Sequence, residues 1–272
     1  HKLDDFDTWW HLAAGRWIVT HHAVPVTDTL SHTVRDHAWV NMQWLFDLAL
    51  YGAHQMVGPG LLPIVSALAF LATTLLLLRL TTRALGPGAG AAIVLIALVA
   101  AQERVTLRPE LASFVWMAAV LTVLDHGRRT GGRGLCALVP LMLLWTNTHA
   151  LFVLGVFAIV CAMIGDFSRP SRPLLLWGGL AIASVILNPY GPAGAWFPVT
   201  LLSRIDGSAA VFQTVGEFSS PFADGATGTS LLFYKVLLSL TAIGAIGAVT
   251  RVKRIDWGGL LFVAGLVVLS VR

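Results

Sequence analysis

Long apolar runs, each bounded by charge, recur along most of this chain, and that recurrence constrains its fold more than any other feature. The runs fall near residues 61–79, 87–102, 109–126, 134–147, 150–166, 173–188, 231–250 and 257–271. A backbone in hydrocarbon must satisfy its own hydrogen bonds, so such runs become spanning helices. Composition agrees: 56% of the 272 residues are hydrophobic, only 12% are charged, and mean hydropathy is +0.77. Soluble domains carry about one quarter charged residues. The expected fold is therefore all-α, a polytopic membrane bundle of about eight spans. Segments 87–102 and 134–147 are short for a perpendicular crossing of roughly 20 residues, and Pro140 and Asn147 are placed to bend or end the second.

Assigning the turns alternately to two sides sorts the charges. One side receives Arg79, Arg83, Arg128, Arg129, Arg133, Arg169, Arg172, Arg251, Lys253 and Arg254 against three acids, Asp125, Asp166 and Asp256. By the positive-inside rule this side is cytoplasmic. The net charge of +4 comes from these topology signals and forms no basic stripe, so no nucleic-acid partner is expected. Cys136 and Cys161 lie inside apolar segments and imply no disulfide framework.

The threading requires residues 1–57 to remain external, although 40–56 is apolar. Asp47 and His54 argue against a crossing there, because an ionised group at the bilayer centre costs about 2.5–3.5 kcal/mol. That segment reads as an interfacial helix, as does 8–21, where Trp10, Ala13, Ala14, Trp17 and Ile18 form an apolar stripe. Trp9, Trp10 and Trp17 suit headgroup depth. Two parts follow: 1–57, external with two interfacial helices, and 58–272, the bundle with an external loop at 192–230.

Polar residues consequently collect on the external side. Asp7 and His11 are four apart on one helix face, with Asp4 and Asp5 just before. The turn AQERVTLRPEL supplies Glu103, Arg104, Arg108 and Glu110, with Pro109 placed to start the next helix. Arginine forks suit phosphate, and at a membrane surface a lipid carrier supplies one. Other outward turns present Asn147 and His149, Asn188 and Tyr190, and the long loop carries Glu217. Each has a plainer reading. Asp7 fits as an N-cap, the arginines as partners of Glu103 and Glu110, and Asn188 as a turn residue. His11, His21, His22, His32 and His37 are as consistent with scattered surface imidazoles as with a metal site.

The stretches DFDTWWHLAAGRWI, VPVTDTLSHT, WVNMQWLFDLAL, LRPELASF, LLWTNTHALFVLGV, LNPYG and EFSSP, in that order, resemble a little-characterised bacterial branch of the GT-C superfamily of polyprenyl-phosphate-sugar glycosyltransferases. The resemblance covers most of the chain. It implies a multi-pass inner-membrane protein with a first span before His1, two external juxtamembrane helices, further spans, and continuation beyond Arg272. It implies a catalytic acid just after the first span, at Asp5 or Asp7, acting as general base or as ligand of a divalent metal such as Mg or Mn. Arg104 and Arg108 would bind the lipid phosphate, with His11, Glu103, Asn147, His149, Tyr190 and Glu217 around the substrate. The implied partners are a polyprenyl-phosphate-linked sugar, an acceptor glycan, lipid or protein, and membrane lipids. A transporter or flippase, or a non-catalytic lipid-binding scaffold of the same fold, is the alternative. Lys235, nearly the sole charge inside a span, lies close to the external end, where a transporter would place ionisable groups at mid-membrane.

Overall fold

A computed structural model describes residues 6–33, 35–165, 171–206, 222, 228–251 and 256–271. Helix is the only regular secondary structure among the described residues, with no strand and a single isolated bridge between Thr27 and Ala38. They form eleven α-helices: α1 Asp7–His21, α2 Trp44–Val57, α3 Leu62–Leu85, α4 Pro87–Ala101, α5 Pro109–Thr130, α6 Leu138–Thr148, α7 Phe152–Gly165, α8 Arg172–Ser184, α9 Gly191–Asp206, α10 Thr229–Arg251 and α11 Trp257–Val271.

Each of the eight apolar runs contains a helix, and proline fixes several boundaries. Pro87 and Pro109 open α4 and α5, where the missing N–H would have had no partner. Pro140 falls in the first turn of α6, so it fits the helix start and does not bend it. Asn147 does not end α6 either, because its amide donates back to Leu143 O at 2.8 Å and the helix runs one residue further. Two boundaries differ from expectation. The segment 39–43 is not helical, and α2 begins only at Trp44; the stretch 192–230 opens with a helix, α9, before leaving the described residues.

Three helical stretches are long and apolar enough to cross a membrane: Pro59–Leu85, Pro87–Arg104 and Thr229–Gly247. Leu135–Thr148, Phe152–Gly165 and Trp257–Ser270 are apolar but shorter. In α3 the usual surface pattern is inverted. Leu68, Leu71 and Leu75 are more than half exposed, whereas Ser66 and Thr73 are buried. A run of bare leucines outside and hydroxyls inside is stable only against an apolar solvent. This pattern makes the protein membrane-associated.

The larger core lies among α5, α6, α7 and α8, where Val120, Leu138, Met142, Trp145, Phe152 and Ile159 are essentially inaccessible. Gly155 makes room for the central indole, since a Cβ there would sit 2.6 Å from the Trp145 ring. A smaller cluster of Leu12, Leu50, Leu62 and Leu107, with Phe46 and Tyr51, joins α1, α2 and the start of α3 to the turn before α5. At the far end of α5, Arg128 pairs with Asp256 at 3.0 Å and Arg129 with Asp125. Both pairs are solvent-facing and contribute less than about 1 kcal/mol each.

The buried residues of α1 are Thr8, His11, Leu12, Ala14, Gly15 and Ile18; of the apolar stripe expected, Ala14 and Ile18 are buried, whereas Trp10 and Ala13 point outward. Small and polar residues face inward because α2 comes very close. A Cβ on Gly15 would overlap the Asp47 carbonyl oxygen and lie 2.7 Å from Tyr51 Cβ. Only glycine permits that approach.

Candidate functional site

Polar groups converge where α4, α6 and α8 end and where α3, α5 and α10 begin. Gln102 Nε2 donates to Ser230 Oγ at 3.1 Å, and Ser230 donates to Glu103 at 2.8 Å, tying the α4–α5 turn to the start of α10. Trp44 Nε1 donates to Asn147 Oδ1 at 2.9 Å, while the Asn147 amide reaches Leu187 O at 3.0 Å. These bonds seat α2 on the ends of α6 and α8.

Asp7 is the first residue of α1 and makes no capping bond; the cap position belongs to Phe6. Its carboxylate pairs instead with Arg108 Nη2 at 3.1 Å. Arg108 directly precedes Pro109, whose ring excludes the α region for its neighbour, and it is accordingly extended at φ −121°, ψ 158°. That bend carries the guanidinium away from the α5 axis and over to α1. The two arginines face different acids. Arg104 faces Glu110 in its own turn at 3.9 Å, half exposed.

One helical turn beyond Asp7, His11 is buried against α2. Its Nδ1 lies 2.7 Å from Asp47 Oδ1, and Asn41 Nδ2 donates to Asp47 Oδ2 at 2.8 Å. Asn41 is held in turn, its Oδ1 accepting from Gln43 N at 3.1 Å, which orients the amide so that its NH₂ faces the carboxylate. Burial pushes the Asp47 carboxyl upward, and the bonds from His11 and Asn41 work against that. Tyr190 closes the cluster: its hydroxyl donates to Pro25 O at 2.8 Å and accepts from Asn41 N at 2.9 Å. Burial raises this phenol too.

His149, at the end of α6, sits beside the pair. Its Nδ1 is 2.8 Å from Ser113 Oγ, which accepts from Trp145 Nε1 at 2.9 Å. The indole can only donate, so Ser113 Oγ accepts from it, and the same oxygen also bonds the imidazole. Burial first, and His11 second, push His149 down to about 4 from an ordinary 6.5. The sign follows: the unfolded chain binds a proton here between those values and the native protein does not. Stability is therefore full above pH 6.5 and falls as the pH drops towards 4, by up to about 3 kcal/mol. Unfolding scans across that window should show this slope flattened in His149→Gln.

The geometry thus joins Asp7 to Arg108, places His11 beside them and binds Asn147, His149 and Tyr190 into the same layer. Arg104 and Glu103 belong to the neighbouring turn. Asp5 and Glu217 lie outside the described residues. Asp47, Asn41 and Ser113 are participants that the sequence alone did not single out. Asp47 carried a signal, as an acid within an otherwise apolar helix. Among the described residues no three metal-ligating side chains converge, and Asp7, offered as a metal ligand, has a guanidinium as its neighbour. The described residues do not compose a divalent-metal site.

Fold and cluster together define an all-helical, membrane-associated protein with a buried acid–imidazole pair beneath an exposed acid–guanidinium pair. No protein-family model, curated protein or solved structure matches the chain.

Proposed function

We propose that the protein is a membrane glycosyltransferase of the GT-C type, which moves a sugar from a polyprenyl-phosphate carrier to an acceptor hydroxyl on the extracytoplasmic face. The observation that carries this reading is the 3.1 Å pair between Asp7 and Arg108. It holds the first-loop carboxylate against a guanidinium suited to the departing lipid phosphate, so that Asp7 orients Arg108. In the accompanying topology the eight apolar helices cross and α1 and α2 stay at the surface. The acid within α2 supports this, since Asp47 is bonded to His11 of α1 and an ionised group is costly in hydrocarbon. An open groove of about 480 Å³ at the other end of α1, lined by Ile18, His22, Val24, Trp44 and Leu48, offers a mainly apolar surface to an isoprenoid chain.

Purified protein in nanodiscs should release undecaprenyl phosphate from undecaprenyl-phosphate hexoses, with and without added Mg²⁺ or Mn²⁺. Asp7→Asn should lose roughly 10²-fold or more of that turnover without losing its fold. Arg108→Ala should bind undecaprenyl phosphate more weakly. An Asp7→Asn protein with full turnover would remove the carboxylate from the mechanism.

A further inference from the structure

We infer that the proton of the acceptor hydroxyl is taken by His11 Nε2, with Asp47 and Asn41 as its positioning residues; this rests on the transfer reaction proposed above. The exposed Asp7 is a poor candidate for that step, because a guanidinium 3.1 Å away already engages its carboxylate. His11 follows one turn later on the same helix face, and its surroundings have the attributes a proton acceptor needs. Its Nδ1 meets a fully buried carboxylate at 2.7 Å, whose other oxygen is fixed by Asn41. A proton on Nδ1 shared with that carboxylate leaves the Nε2 lone pair free. A second proton, arriving at Nε2, gives an imidazolium that offsets the buried negative charge.

The groups around the ring favour the same event. Asp7 on α1 and Asp47 on α2 are its acids. His149, at the end of α6, is kept neutral by burial, and Tyr190, in the turn before α9, is a neutral phenol. Arg108, at the start of α5, is the nearby fixed cation, and its partner is Asp7. Trp10 and Phe46 meet the imidazole edge-on, each at 5.4 Å, and hold its plane. In the step itself the acceptor O–H bond breaks and its proton moves to Nε2. The oxygen lone pair forms the bond to the anomeric carbon, and the bond from that carbon to the phosphate oxygen breaks, its electrons leaving with the polyprenyl phosphate.

Two measurements on the full chain decide the matter. The first needs no substrate: diethyl pyrocarbonate reacts with an unprotonated imidazole nitrogen, and mass spectrometry reads each histidine separately. His11 should be modified, and about tenfold more slowly in Asp47→Asn, where the amide donates to Nδ1 and forces the proton onto Nε2. The exposed His21 and His22 should react equally in both proteins. An unmodified His11 beside reactive His21 and His22, or no change in Asp47→Asn, overturns the assignment. The second is turnover of undecaprenyl-phosphate hexoses. His11→Asn should lower kcat by about 10²-fold with the donor KM nearly unchanged, and free imidazole should restore part of it. Full kcat in His11→Asn alongside an active wild type defeats the role of His11 and spares the transferase reading. No turnover by wild type, with His11 still reactive and dependent on Asp47, defeats the transferase reading and the proton transfer with it, and leaves only the Asp47-held orientation of His11.

Discussion

Asp47→Ala is expected to lower stability by about 3–5 kcal/mol through the contact between α1 and α2. Asp47 is fully buried and accepts hydrogen bonds from both His11 and Asn41, so its removal leaves two buried polar groups without a partner and opens space between α1 and α2. Stripping one member from a buried charged pair costs far more than the pair itself contributes. Thermal unfolding in detergent compares the variants, and a double-mutant cycle with His11→Ala isolates the shared part. The double variant should lose clearly less than the two single losses added together. Strict additivity would mean that the two side chains do not depend on one another.

Trp145→Ala should cost a similar amount, about 3–5 kcal/mol, by a different route. The indole is inaccessible in the middle of the main core, with Met142 and Phe152 also buried in that cluster and Gly155 closing over one edge of the ring. Truncation leaves a cavity that the surrounding helices cannot close, and it takes away the donor to Ser113. The second consequence separates this variant from an ordinary core truncation. Ser113 then keeps His149 as its side-chain partner, and the His149 ring resonances should shift with the lost indole. Trp145→Phe should recover most of the stability and none of the bond to Ser113.

The helices themselves were legible in the sequence because hydrocarbon demands continuous apolar runs, and those runs can be counted without knowing what packs against what. Their boundaries were legible wherever Pro87 or Pro109 removed a backbone donor. The orientation of α1 was not. Of the stripe Trp10, Ala13, Ala14, Trp17 and Ile18 the protein buries Ala14 and Ile18, and it adds Thr8, His11 and Gly15 because the neighbouring surface offers a carboxylate and a close backbone. Asp47 was taken as a reason for α2 not to cross, but a single acid in an apolar helix does not reveal its partner 36 residues earlier. The pairing of Asp7 with Arg108, rather than with Arg104, was hidden for a related reason. It depends on the extended backbone imposed by Pro109, which spacing along the chain does not encode.

The contact at Gly15 ties the polypeptide's outermost layer together. With no side chain between them, α1 and α2 meet backbone to backbone around the His11–Asp47 bond, so neither is free to loosen by itself. The pair must detach as one cooperative unit, and its amide protons should trade with solvent at a common rate set by that concerted opening. A ligand seated between Asp7 and Arg108 would slow the exchange of both helices together, including the far end of α2, where it touches nothing.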